Sequence, residues 1–293
     1  MKLRPYCEND LPQLVSLLNE AYRAEYEFIP YTHESLQTEL NVASSVLLAT
    51  GEQDGIVGLA YLRQDWYGET VTLCARPGPK QEEIEDILLS TIEPENKTGH
   101  VTTAIDPLEQ ERIAFFNARG YRPESSLYQM IAELDPLPTP PHVPEGYVIR
   151  SLKPDEEERL IRLANAAYDG ERLRPGVLAK WKARDPDFST DWVQVVEYEG
   201  ELVAAVRGCS DREYNERYQA NRGYLGPAAT LRPHRGKGLS KALTARAMNF
   251  LHEHGMKTVC LYTWGGNPAA LELIKHLDFG LGHEWKILGK TLR

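Results

Sequence analysis

The chain has 293 residues, of which 42% are apolar, 9% aromatic and 26% charged, an ordinary globular composition that excludes a fibre, a disordered tail and a disulfide-stapled miniature. At roughly 100 to 200 residues per domain, the length accommodates two domains, each with its own core. Thirty-three Lys and Arg stand against 43 Asp and Glu, a net charge of −10, which argues against a nucleic-acid partner because phosphates call for a basic surface.

The N-terminus, MKLRPYCENDLPQL, lacks the apolar run of a signal peptide, and no stretch approaches the roughly 18 apolar residues of a membrane span. The protein is therefore expected in the cytoplasm, away from membranes. Cys7, Cys74, Cys209 and Cys260 are far apart and form no C-x-x-C pair, so they read as reduced core residues.

From Leu3, LRPYCENDLPQLVSLLNEAY reads as a short strand, a polar turn and a helix whose Leu14, Leu17, Leu18 and Ala21 recur at three and four. GIVGLAYL from Gly55 is a strand. Arg76-Pro-Gly-Pro-Lys80 then leads into an acidic helix, and IAFFNARGY ends a later helix at Tyr121. Between Asp135 and Gly146, Pro136, Pro138, Pro140, Pro141 and Pro144 forbid helix or central strand and favour an extended spacer. The expected organisation is a first domain at 1–134, a linker at 135–146 and a second domain at 147–293.

The second domain repeats the first. IRSLKPDEEERLIRLANAAY from Ile149 lies over the segment from Leu3 at a constant offset of 146, with Arg4/Arg150, Leu14/Leu160, Leu17/Leu163, Asn19/Asn165, Ala21/Ala167 and Tyr22/Tyr168 identical. ELVAAVRG from Glu201 answers GIVGLAYL, and LELIKHLDF answers IAFFNARGY at an offset of 158. Each half reads as strand, helix, polar loop, two or three strands, helix, strand, helix and closing strand. The fold class is α/β with a mixed sheet.

One stretch carries chemistry. AATL is a strand broken by Pro233; HRGKGLS then opens a helix with Leu239, Ala242, Leu243, Ala247, Phe250 and Leu251 on one stripe, closed by Gly255. A basic, glycine-containing loop at a helix N-terminus can hold an anion, because the first-turn N–H groups lack partners, the dipole adds positive charge, and Gly236 and Gly238 let a phosphate come close. Taken alone, the loop serves equally as a solvated basic turn with a glycine cap. It matches neither G-x-G-x-x-G nor G-x-x-x-x-G-K-[ST].

Arg235-Gly-Lys-Gly238-Leu-Ser240 resembles the R/Q-x-x-G-x-G/A acyl-CoA pyrophosphate loop of the GNAT N-acetyltransferase superfamily. The context is similar as well: a strand at Leu225–Leu231 before the loop, a strand at Thr258–Trp264 after the helix, then Asn267-Pro-Ala-Ala270 and a terminal Leu277-Asp-Phe279, in order over about 55 residues. With the repeat, the resemblance implies two tandem GNAT-like domains, each a mixed, mostly antiparallel sheet flanked by helices. That architecture is similar to the mycothiol synthases, with no claim on their substrate.

The resemblance implies acetyl-CoA as acyl-donor cosubstrate and assigns its contacts: main-chain groups of Ala229, Thr230 and Leu231 to the pantetheine arm, the N–H groups of Arg235, Gly236, Lys237, Gly238, Leu239 and Ser240 to the pyrophosphate, and Asn267 to the pantetheine or phosphate end. Ser240 replaces the usual Gly or Ala and still donates its N–H. Seven residues after Asn267 the family often has a proton-donating tyrosine; here it is Ile274, so the proton must come from elsewhere. In the first domain, Pro77 and Pro79 remove donors, and Glu82, Glu83, Glu85 and Asp86 occupy the helix's first turns, so that half is expected to bind no CoA.

The implied reaction is direct attack of a neutral amine on acetyl-CoA in a ternary complex. The strand before the loop has no carboxylate, leaving Glu284 on HEWKIL as candidate base, with Asp211, Glu213 or Glu216 in the polar insert SDREYNERYQANR as others, and Tyr262 as candidate proton donor. His252 and His254 lie on different helix faces, so no metal is expected; Trp264 reads as core. The rival readings are a non-catalytic acyl-CoA sensor and a binding protein for another phosphorylated ligand. Residues 1–146 hold 10 Lys and Arg against 24 Asp and Glu, and residues 147–293 hold 23 against 19. An acidic half beside a basic one favours a small-molecule or peptide amine acceptor in cationic form, held in the cleft between them.

Overall fold

The structure, a computed structural model, describes residues 1–51, 55–65 and 68–292. In chain order its elements are β1 (Lys2–Pro5), α1 (Leu11–Ala21), α2 (His33–Leu40), β2 (Ala43–Thr50), β3 (Ile56–Asp65), β4 (Gly68–Ala75), α3 (Gln81–Ile92), β5 (His100–Ile105), α4 (Gln110–Ala118) and β6 (Arg122–Glu133). The second series is β7 (Tyr147–Ser151), α5 (Glu157–Tyr168), α6 (Val177–Arg184), β8 (Val193–Tyr198), β9 (Glu201–Ser210), α7 (Arg212–Tyr218), β10 (Arg222–Thr230), α8 (Leu239–Glu253), β11 (Thr258–Trp264), α9 (Pro268–Lys275) and β12 (Gly280–Thr291). The two series share one order, with α7 added in the second.

The chain forms two compact units, one of Met1–Leu127 with Glu284–Arg293, the other of Tyr128–His283. The proline-rich segment 135–146 falls inside the second. In unit 1 the strands run β1-β2-β3-β4-β5, followed by the C-terminal end of β12, antiparallel to β5 from Lys286↔Ile105 to Thr291↔His100. Helices cover both faces. Strict alternation in β3 does this: Leu59 and Tyr61 join Leu14, Leu17, Leu18 and Leu36 of α1 and α2, while Ala60 and Leu62 join Ile84, Leu88, Leu89 and Phe116 of α3 and α4.

In unit 2 the order is β7-β8-β9-β10-β11 and then β6. Its core gathers Leu160 and Leu163 of α5, Trp181 of α6, Val203 and Ala205 of β9, and Leu243, Met248 and Leu251 of α8. Helix α8 lies close on the sheet at Gly223, where a Cβ would meet Leu251 Cδ1 at 2.9 Å.

The residues repeated in sequence make the same bonds in both units. Arg4 donates through both terminal nitrogens to Asp10 (2.7 and 2.6 Å), which also accepts the Cys7 N–H at 2.8 Å. Arg150 does likewise to Glu156 (2.7 and 2.7 Å), which accepts the Lys153 N–H at 3.0 Å. Asn19 exchanges two bonds with the Tyr31 backbone, and Asn165 two with Leu173. Tyr22 and Tyr168 donate to strand carbonyls, Leu73 at 3.3 Å and Ala228 at 2.6 Å. The repeat is therefore one set of polar clamps used twice.

Two sequence expectations need adjustment. Cys7 is exposed rather than core, while Cys74, Cys209 and Cys260 are buried. The polar insert after Ser210 contains helix α7, held by Asn215, which accepts the Arg222 N–H at 2.7 Å and donates to the Arg222 carbonyl at 2.8 Å. No helix among the described residues is long and apolar enough to cross a membrane.

Candidate active site

The site begins with two strands that part company. β10 and β11 pair in parallel at Arg222↔Thr258, Gly223↔Val259 and Tyr224↔Cys260. β10 continues on β9 through Ala228↔Val206, Ala229↔Ala205 and Thr230↔Ala204, after a register shift between Leu225 and Ala228. From Leu225 onward, β10 thus has a strand neighbour on one side. On the other side, the Ala228 carbonyl accepts from Tyr168 and the Thr230 carbonyl from Arg235 Nε at 3.0 Å.

β10 delivers the chain into the glycine loop. A 3-10 turn spans Arg232–His234, its N–H bonds running His234 to Leu231 and Arg235 to Arg232. Gly236 and Gly238 have φ of +75° and +76°, the left-handed region where glycine alone is unstrained, and no atom lies within 4 Å of a Cβ built on either. Gly238 caps α8 with no side-chain capping bond, so the N–H groups of Leu239, Ser240 and Lys241 have no intrahelical acceptor. The loop is open, positively polarised and free of side chains where an anion would approach.

Two of the sequence-assigned residues are otherwise engaged. Arg235 gives its N–H to Arg232 and its guanidinium to the carbonyls of Thr230 and Ala167; it braces the loop. Asn267 Oδ1 accepts the Ala270 N–H at 3.2 Å, a helix N-cap followed by Pro268 in the first turn, the usual start signal. Ile274 lies in the core with 2% exposure, so that position faces away from any proton transfer. Trp264, expected in the core, is 37% exposed.

At the point of divergence stand two phenols that sequence reasoning only half found. Tyr262, 41% exposed on β11, accepts from Gln129 Nε2 at 3.0 Å. Its ring lies 6.2 Å from that of Tyr224 on β10. Burial raises the pKa of Tyr262 and pushes Tyr224 up to about 12, so both keep their protons at neutral pH. Tyr224 was missed because the search of its strand was for carboxylates, and Gln129 because 133 residues separate it from Tyr262.

The candidate bases separate clearly. Glu284 belongs to unit 1, where it accepts from Ser126 Oγ at 2.6 Å and pairs with Lys286. Asp211 accepts from Arg222, which is 4% exposed, at 2.8 Å. Glu216 pairs with Arg212 on the surface of α7. No group of His, Cys, Asp and Glu side chains among the described residues suits a metal ion.

Comparison with known proteins agrees with this geometry. The model of the Acetyltransferase (GNAT) family matches residues 156–279. A mycothiol acetyltransferase of Rhodococcus erythropolis is 26% identical over 255 residues, covering 78% of this chain and 79% of that protein. One from Salinispora arenicola is 32% identical over 173 residues, covering 55% of this chain and 53% of that protein. Among solved structures, a GCN5-related N-acetyltransferase from Sphaerobacter thermophilus covers 100% of this chain and 96% of its own, with a TM-score of 0.68 at 17% identity. A tandem GNAT protein from the clavulanic acid biosynthesis pathway covers 98% and 97%, with a TM-score of 0.65 at 16% identity. Residues 156–279 thus carry a match to the acetyltransferase (GNAT) family, and the comparisons support an acyltransferase.

Proposed function

We propose that the protein is an acetyl-CoA-dependent N-acetyltransferase with one active site, in the C-terminal domain at 147–293, joined by the linker 135–146 to an N-terminal GNAT-like domain at 1–134 that lacks a CoA loop. The observation that carries this reading is the divergence of β10 from β11, followed in the chain by a helix N-terminus with no side-chain cap and open space at Gly236 and Gly238. Of the assigned Ala229, Thr230 and Leu231, Leu231 gives its N–H to Val203, so a pantetheine arm would meet the outward edge of β10 at Thr230. A pyrophosphate fits the N–H groups from Gly236 through Lys237 and Gly238 to Leu239 and Ser240, with Arg235 bracing the loop and the Asn267 amide at the far end. Bound acetyl-CoA supplies the activated acetyl group, which a neutral amine takes by direct attack while the thiol departs.

The chain's own residues handle the protons. Tyr262, protonated at neutral pH and oriented by Gln129, holds a proton for the departing thiolate in place of the position filled by Ile274. An alkylamine with a pKa of about 10 must lose a proton before attack, to a base or through a water chain. The relatives named mycothiol acetyltransferase support a small-molecule amine as acceptor.

Ile274 in the core and a β10 without a carboxylate favour a second reading, a non-catalytic acyl-CoA sensor. Incubating the protein with acetyl-CoA and a panel of amines while following free thiol decides between them. Thiol release that depends on one amine class establishes the transferase; release no faster than background with every amine, alongside measurable CoA binding, establishes the sensor.

A further inference from the structure

Unit 1 has a cavity of its own, about 1360 Å³, between β4, β5 and the first turns of α3 and α4. It arises from the same strand geometry. β4 and β5 pair in parallel at Thr70↔Thr102, and Val71, Leu73 and Ala75 with Thr103 and Ile105 line the space where the strands have parted. Small-molecule sites usually occupy roughly 300 to 1,000 Å³, so the cavity has room for a whole ligand.

Its walls do not suit a pyrophosphate. Pro77 and Pro79 remove two N–H donors from the entry to α3, and Glu82 and Glu83 fill that helix's first turn. Arg112, from α4, donates to Glu85 and to the Leu73 carbonyl. Leu73 is the strand position whose carbonyl Tyr22 also reaches, as Tyr168 reaches Ala228 in unit 2. Arg112 thus takes a carbonyl of the strand edge whose counterpart in unit 2 accepts from Tyr168.

The charges on the wall do not cancel. Arg63 pairs with Glu39 and Asp65, Arg112 with Glu85, and Arg119 with Asp86 and Glu82. That engages all three lining arginines, and among the described residues no ion pair forms to Glu25 or Glu109, which also line the cavity. Glu25 and Glu109 are exposed side chains on the cavity wall. Desolvation, reinforced by Glu109 and Asp106 and opposed by Arg112, raises the Glu25 carboxyl to about 7; desolvation raises Glu109 as well, with Asp106 adding and Arg112 opposing. Tyr22, Tyr31 and Tyr61 contribute aromatic surface to the same space, which suits a cation with an organic body.

We propose that the unit 1 cavity is a second binding site, for an organic ammonium ion, with Glu25 and Glu109 as its counter-ions. Where unit 2 has a glycine loop suited to an anion, unit 1 has carboxylates. This assignment stands independently of the activity assigned to unit 2.

The test is calorimetric titration of the full-length protein with spermidine, run on wild type, on Glu25→Gln/Glu109→Gln and on Gly238→Glu. One spermidine is expected to bind wild type and Gly238→Glu alike, with affinity falling about tenfold for each carboxylate removed. Binding is also expected to tighten from about pH 6 to pH 8 as Glu25 ionises in the presence of Glu109, Asp106 and Arg112, and Glu25→Gln alone should flatten that profile. Spermidine binding weaker than about 1 mM, or binding that the double variant leaves unchanged, overturns the proposal. If the double variant does not fold, hydrogen exchange on wild type decides: spermidine should protect residues 22–31 and 106–112, and no protection there refutes the site.

Discussion

Gly238→Glu probes the cofactor loop through two separable costs. The first is conformational. Gly238 sits at φ +76° with open space where a Cβ would go, so a glutamate meets no wall and costs about 1 kcal/mol of backbone energy, lowering the melting temperature by about 2–4 °C. The second concerns the ligand. The N–H groups of Leu239, Ser240 and Lys241 lack intrahelical acceptors, and each charge-assisted contact to a phosphate contributes roughly 1.5–3 kcal/mol. A carboxylate on residue 238 competes for about two of these and repels the phosphate, a loss of about 3–6 kcal/mol or roughly 10²- to 10⁴-fold in CoA affinity. Gly238→Ala shares the backbone cost without the charge and should lose far less. Calorimetric titration with CoA, together with KM for acetyl-CoA, reads the effect. The reasoning fails if Gly238→Glu melts as expected and still binds CoA within about threefold of wild type.

Tyr262→Phe should lower kcat by about 100-fold while leaving KM for acetyl-CoA unchanged, because the hydroxyl held by Gln129 is lost and the ring remains; an unchanged kcat removes Tyr262 from proton transfer. Glu156, 4% exposed, is held at about 2 by hydrogen bonds from Arg150, against an unfolded value near 4.3. A carboxyl lowered on folding stabilises the native state above its unfolded pKa, and that contribution, on the order of 2–3 kcal/mol, disappears as pH falls towards 2. Glu156→Gln should therefore destabilise the protein to urea at neutral pH and flatten the acid limb of its stability curve below about pH 4.5; an unchanged acid limb would count against the assignment.

The repeat was legible because its identities fall on polar positions that do specific work. Arg4 and Arg150, Asn19 and Asn165, and Tyr22 and Tyr168 make matching bonds in the two units. The glycine loop and α8 were legible because basic residues and two glycines run directly into an apolar stripe at helical spacing. Asn267 has a local task that its sequence context announces: it is a good N-cap, and the Asn-Pro pair opens α9. The insert after Ser210 carried no apolar period, so α7 escaped notice; Asn215, bonded to Arg222 across the turn, holds it in place.

The sequence by itself determined the fold class, the doubled order of elements and the anion-suited loop, since periodicity, helix starts and turns are set by residues a few positions apart. Tertiary structure decided which strands diverge, which phenols stand at the divergence, and how Arg112 comes to take the Leu73 carbonyl beside the first unit's cavity. Those outcomes depend on residues tens to more than a hundred positions apart, such as Arg112 with Leu73 and Gln129 with Tyr262. Only packing brings them together, and no local pattern records the result.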